Sequence, residues 1–257
     1  MRPFWLMGLT SLLLPASVVI AADNGMVSIE QGIYRPLYLS ETSPMTEVDA
    51  FKIDKKPVTN AQYYAFVIQH KGWEKQAVSP LFSEASYLKH WQIIDQQYVP
   101  KMEDLDKPVT YVSWFAAQAY CEAQGKQLPT VAQWEYVAQA SESQIQGSQE
   151  AGYTQRILDW YATSATKPLA NVAQNPANYW GLYDLHGLIW EWTYDFNSAL
   201  VTGESRSDSS LNQQMFCGSG AAGAADPSDY AAFMRYGFRA SLQAPYALAQ
   251  LGFRCAQ

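Results

Sequence analysis

The sequence predicts an α+β domain with little regular secondary structure. Three observations predict it. Helices in the first half are marked by capping residues followed by apolar stripes. Short β-prone runs broken by Gly and Pro recur along the chain. Aromatic residues reach 14%, with 9 Trp and 17 Tyr, which suits a compact irregular fold better than a helical bundle.

The first element is not part of the domain. Arg2 precedes an apolar stretch from Phe4 to Ile20, then small residues through Ala22 and polar Asp23-Asn24-Gly25. This is the grammar of a cleaved secretory signal over residues 1–22. An uncleaved anchor is the alternative. The stretch is shorter than a comfortable span and contains Pro15, which favours cleavage. No second long apolar segment follows. The mature protein is therefore expected to be periplasmic or secreted, without stable membrane insertion.

One domain is expected over 23–257. Ile29 to Leu39 carries β-formers around Gly32 and Pro36, and Phe51-Lys52-Ile53 alternates. Thr59 is an N-cap, with Tyr63, Tyr64, Phe66 and Val67 forming a stripe behind it. Residues 71–107 read as an irregular region pinned by Trp73, Phe82, Tyr87 and Trp91. Ser113 caps a second helix through Trp114, Ala117, Tyr120 and Cys121, which Gly125 stops. Thr130 and Gln133 form a capping box, with Trp134, Val137 and Ala138 on the buried face. From Ser141 to about Leu169 the pattern is weak and polar. From Asn171 onward short apolar pieces alternate with turn residues, and 216–225 is rich in Gly and Ala. No internal repeat, heptad pattern or Pro/Ser-rich linker divides the chain.

Composition excludes some functions. Hydrophobic residues make up 48%, enough for a sizeable core, and the net charge is -7 with no Lys/Arg cluster. Nucleic acid and anionic membranes are poor partners for such a surface.

Four stretches then become specific. They are Phe51-Lys-Ile-Asp-Lys-Lys-Pro-Val-Thr-Asn-Ala-Gln-Tyr-Tyr-Ala-Phe-Val67; Lys107 to Trp114 with Ala119-Tyr-Cys121 and Gly125 to Tyr136; Gly181-Leu-Tyr-Asp-Leu-His-Gly-Leu-Ile-Trp-Glu-Trp-Thr193; and Leu251-Gly-Phe-Arg-Cys-Ala256. In this order they resemble the formylglycine-generating-enzyme, or sulfatase-modifying-factor, family. The resemblance implies an asymmetric α+β fold related to C-type lectins. The stretch Asp229-Tyr-Ala-Ala-Phe-Met-Arg-Tyr236 further resembles a branch associated with copper nitrite reductases.

The family's catalytic machine is a pair of cysteines five positions apart that binds copper and oxidises a substrate cysteine to formylglycine. Thiolates suit this work as soft Cu(I) ligands able to exchange with the substrate sulfur. By the resemblance, those positions fall on Phe233 and Phe238. Neither phenylalanine can ligate a metal. Formylglycine generation is therefore not expected, and copper or iron is not the expected cofactor.

The resemblance also implies a disulfide between Cys121 and Cys255, with redox chemistry as the alternative role of that pair. Cys217, in Phe216-Cys-Gly-Ser-Gly220, reads either as a small thiol beside a glycine turn or as a soft-metal ligand near the old active site. Asp184, Gly187, Ile189 and Glu191 match positions where relatives bind a structural calcium. Two carboxylates and two backbone carbonyls are hard oxygen ligands. Alternatively, Asp184 caps a turn and Glu191 makes a hydrogen-bonded core contact. A second family calcium site near Asn171 is not expected, because the segment before Gly181 is short. His70, His90 and His186 show no metal-ligand spacing.

Residues 226–239 lie where relatives form the substrate groove. Asp226, Asp229, Tyr230, Arg235, Tyr236 and Arg239 are candidates to bind a peptide or small ligand. Equally, Arg239 and Arg254 are structural partners of buried carboxylates. The leading functional expectation is a non-catalytic binding or maturation factor for a peptide, a small ligand or a periplasmic partner enzyme. A plain surface recognition module is a variant of it. The alternative is a metal-dependent oxidoreductase with a site rebuilt in the same groove around Cys217.

Overall fold

The computed structural model describes residues 25–34, 45–163, 167–197 and 227–257. Among these residues the strands pair in twos. β1 (Met26–Ile29) runs antiparallel to β4 (Phe51–Asp54), with Ile29 opposite Phe51. β2 (Gly32–Tyr34) pairs with β3 (Thr46–Val48). β5 (Gln92–Ile94) and β6 (Gln97–Val99) form a hairpin inside the region read as irregular. Its turn residues Asp95 and Gln96 both have positive φ. That conformation is normally signalled by Gly, so the hairpin carries no sequence mark. β7 (Trp190–Glu191) runs parallel to β8 (Leu251–Gly252).

The C-terminal strand organises the middle of the molecule. Lys52 and Gln257 exchange both backbone hydrogen bonds, at 2.7 and 2.8 Å, and Asp54 N donates to Cys255 O at 2.9 Å. Gln127 and Ala256 pair on the opposite side. Gly252 is required here, because a Cβ would collide with the Val109 carbonyl.

The three expected helices form where their caps lie. In α1 (Asn60–Gln69) and α3 (Val131–Ala138), Thr59 and Thr130 build full capping boxes with Gln62 and Gln133. In α2 (Trp114–Ala123), Ser113 Oγ accepts from Ala116 N at 3.2 Å, and Gly125 follows the end with φ +68°. Two helices were not expected: α4 (Tyr153–Thr163) and α5 (Pro227–Ala240). On α4, Tyr153, Ile157, Trp160 and Tyr161 recur at helical spacing, but only Ile157 is fully buried and polar residues lie between them, so the pattern reads as weak and polar. The inward stripe of α5 runs Ala231, Ala232, Arg235, Tyr236, Arg239. Its spacing is helical, but two members are cationic, and an apolar periodicity search passes over it.

Two buried clusters make up most of the core. One gathers α1, α2 and the C-terminal strand around Tyr63, Phe66, Tyr120, Trp192 and Phe253; the other gathers β1, β4 and α3 around Ile29, Ile53, Trp134 and Leu182. Tyr87 and Trp91 pin the 71–107 region as expected. Phe82 does not sink into the core: it is 46% exposed and touches Trp73 and Phe115 from outside. Cys121 on α2 and Cys255 are joined as a disulfide, with Cα atoms 5.6 Å apart.

Candidate functional site

The side chains that carry chemistry converge where α3, α4 and α5 meet the β7–β8 pair. Glu135 sits on the buried face of α3. Arg235 on α5 holds it through its side-on edge, with Nε to Oε1 at 3.0 Å and Nη2 to Oε2 at 2.6 Å. One turn further, Arg239 Nη1 donates to Oε1 of the same carboxylate at 2.6 Å. Tyr161 from α4 accepts from Arg235 Nη1 at 3.0 Å. Burial pushes the Glu135 carboxyl up, but the two guanidiniums outweigh it and hold it at about 2. Two buried cations thus share one buried anion.

A second cluster lies behind Trp134. Arg254 holds Glu191 by the same side-on edge, with Nε to Oε2 and Nη2 to Oε1 both at 2.8 Å. Its Nη1 reaches the carbonyls of Asp54 and Lys55, and Nη2 also reaches that of Tyr183. Both side chains of this pair are 0% exposed. The indole N–H of Trp134 donates to Glu191 Oε2 at 2.8 Å. Asp184, in a left-handed conformation with φ 58°, accepts from Ala173 N at 2.6 Å. Burial raises its carboxyl above the usual range, against the hydrogen bond from Ala173 and the charge of Arg254.

Aromatic rings close the wall between the clusters. Phe238 stacks on Trp190 with centroids 4.4 Å apart, and Tyr161 stacks on the same indole at 4.9 Å. Trp160 packs beside them, 5.1 Å from Trp190. Arg239 lies 4.8 Å over the Trp134 ring. His186 donates from Nε2 to the Ala138 carbonyl at 2.9 Å, and burial, aided by Arg235, lowers its pKa to about 4.

Of the groove residues read from sequence, Arg235, Tyr236 and Arg239 point inward and are buried. Tyr236 hydrogen-bonds Tyr34, and burial pushes its hydroxyl up to about 12. Tyr230 is the exposed member. Asp229 lies in the first turn of α5, and Cys217 and Asp226 lie outside the described residues. The calcium set maps onto one loop. Asp184 fits a cation: it is buried, and the charge of Glu191 reaches it. Glu191 fits less well, because Arg254 and Trp134 already occupy both its oxygens. Sequence reasoning missed Glu135. The only signal it left was a carboxylate at a position of α3 that the apolar stripe places inside.

The model of the family described as "Sulfatase-modifying factor enzyme 1-like domain" matches residues 14–257. The chain belongs to this family. It is 33% identical over 183 residues to the mouse protein named inactive C-alpha-formylglycine-generating enzyme 2, covering 57% of this chain and 58% of that one. It is 33% identical over 112 residues to mouse formylglycine-generating enzyme, covering 35% of this chain and 27% of that one. The chain thus spans less than two thirds of these curated relatives. The solved structure of CarF shares the fold, with a TM-score of 0.52 and 19% identity over 91% of this chain and 97% of that one. Phe233 and Phe238, the positions that the sequence resemblance assigns to the thiol pair, lie on α5.

Proposed function

We propose that this chain is an exported, non-catalytic family member that binds a ligand or partner protein at the junction of α3, α4 and α5. The stacking of Phe238 on Trp190 carries the reading. A ring wedged against an indole leaves no thiol at that position and no soft donor for Cu(I). The chain has 3 cysteines, and Cys121 and Cys255 are already paired. Cys217 alone cannot form a second pair. Similarity to a relative named as inactive points the same way.

Export is part of the proposal and rests on Arg2, the Phe4–Ile20 stretch and Ala21-Ala22. So is a structural calcium on the Asp184–Glu191 loop. It is supported by Asp184, a buried carboxylate that has no ion pair among the described residues and accepts a hydrogen bond from Ala173 N. When bound, calcium would supply only charge balance and loop rigidity.

The test has two arms. The purified mature protein, loaded with Cu(I), is incubated with a cysteine peptide from a sulfatase and the peptide is weighed. No aldehyde is expected, and aldehyde formation would overturn the non-catalytic reading. Crosslinking in the exporting cell should then recover one reproducible bound protein or small molecule. Recovery of none overturns the binding role.

A further inference from the structure

A cavity of about 250 Å³ lies between the start of α4 and the loops around Ser141, Asn178 and Asp184. Much of its wall is apolar, from Tyr153, Ile157, Pro176, Leu182 and Leu185. Glu142 and Arg156, both exposed and of opposite charge, stand at its rim. Arg156 lies over the Tyr153 ring.

The buried polar groups left over in this wall are acceptors. Ser141 and Asn178 spend their side chains on Glu150, on Val137 O and on nearby backbone N–H groups. Asp184 is 6% exposed and has no ion pair among the described residues. It accepts from Ala173 N at 2.6 Å and from the Asn175 side chain, and a carboxylate has lone pairs beyond those two. Arg254 acts on it only through space, since that guanidinium is held by Glu191. His186 lines the same cavity. Its Nε2–H donates to Ala138 O, so in the neutral ring Nδ1 carries a lone pair, and that atom is buried without a partner.

A buried carboxylate without a counter-ion is costly, and the cation that answers it has to fit the space beside it. Calcium, proposed above, would use the same carboxylate. A lone ion leaves the apolar wall and most of the 250 Å³ to water. An ammonium on an apolar body answers both features. Its head brings three N–H donors to a wall that offers acceptors, and its body covers Tyr153, Ile157 and Leu185.

We propose that this cavity binds a small organic ammonium, with the charged head on Asp184 and the body against the apolar wall. The inference goes beyond the role proposed for the junction of α3, α4 and α5. Calcium and the ammonium are alternative occupants of Asp184. The ammonium belongs either to a free amine or to an amino acid whose carboxylate engages Arg156 at the rim.

The experiment is a calorimetric titration of the intact mature protein in the presence of chelator. The probes are phenethylamine, phenethyl alcohol, methylammonium and phenylalanine. Saturable binding is expected for phenethylamine or phenylalanine, and whichever is tighter identifies the source of the ammonium. The alcohol lacks the charge and methylammonium lacks the body. Each should bind at least about tenfold more weakly, as expected for loss of a charged hydrogen bond or of apolar contact. Asp184→Asn should weaken the preferred probe by a similar factor. Should Asp184→Asn not fold, the discrimination of wild-type protein between phenethylamine and phenethyl alcohol decides alone. Equal binding of those two, or no binding of either ammonium with a ring, overturns the proposal and leaves Asp184 to a metal ion or water. Chelator removes calcium throughout, so that failure would leave the response to added calcium, and the copper and crosslinking tests, untouched.

Discussion

Trp134 ties the two buried ion clusters together: its indole N–H donates to Glu191 at 2.8 Å, while Arg239 lies on its ring face. One cluster has a surplus cation, with Arg235 and Arg239 on Glu135. The other has a surplus carboxylate, with Asp184 and Glu191 near Arg254. The indole bonds to the acidic side through its edge and to the basic side through its face. Trp134→Phe keeps the face and removes the N–H. It should destabilise the fold by about 1.5–3 kcal/mol, the worth of one hydrogen bond to a charged acceptor, since Arg254 still holds that oxygen. Urea unfolding measures it, and an unchanged midpoint would refute the bridging role.

Glu135 links acid to instability. Its carboxyl is held at about 2 in the folded protein. A depressed carboxylate contributes stability that is complete above its unfolded value and lost as pH falls toward the folded one. The window is therefore about pH 4.5 to 2. Glu135→Gln should remove that loss and lower stability at neutral pH by about 3–5 kcal/mol, because two buried guanidiniums lose their anion. Equal pH slopes for wild type and variant in this window would contradict the assignment.

His90 should behave as a neutral histidine well into acid. Burial lowers its pKa to about 4, and its Nε2 donates to Asn60 Oδ1 at 3.0 Å. Since the unfolded state protonates near 6.5, stability tied to His90 is full above about pH 6.5 and lost down to about 4. Its ring protons, followed by NMR, should not titrate above about pH 5. A midpoint near 6.5 would show the ring to be solvated.

The bridge between Cys121 and Cys255 spans a sequence separation of 134. Closing so long a loop is worth about 5 kcal/mol by chain entropy, before strain. Denatured, unreduced mature protein should give one reactive thiol, Cys217. Three thiols would mean that the pair is reduced in the cell. Cys255→Ser should lower the melting temperature steeply, and reductant should then have no further effect.

Calcium added to chelator-treated protein should raise the melting temperature, and Asp184→Asn should abolish the rise. A response that survives Asp184→Asn would place the ion elsewhere. No response at all would leave Arg254 as the sole counter-charge on that loop.

The caps were legible because they are local. Thr59, Ser113 and Thr130 each satisfy backbone N–H groups three residues away, so adjacent residues hold the whole interaction. The hairpin at Asp95-Gln96 was not, since its turn lacks the glycine that signals one. Helix α5 escaped for a different reason. Its inward face includes Arg235 and Arg239, and a cation counts as inward only once its anion is known. That anion lies on Glu135, 100 and 104 residues earlier.

The sequence by itself determined the family, the α+β class, three helices with their ends, and the absence of a thiol pair at Phe233 and Phe238. Each of these depends on residue identity or on spacing within a turn or two. Only the tertiary structure decided which charges are buried and how they pair. In the sequence Glu135 carried no reading, Glu191 was a calcium ligand or a core contact, Arg235 was a groove residue, and Arg239 and Arg254 were partners of carboxylates that the sequence could not name. Removing them from water is costly unless each finds a partner, and those partners are brought together by folding.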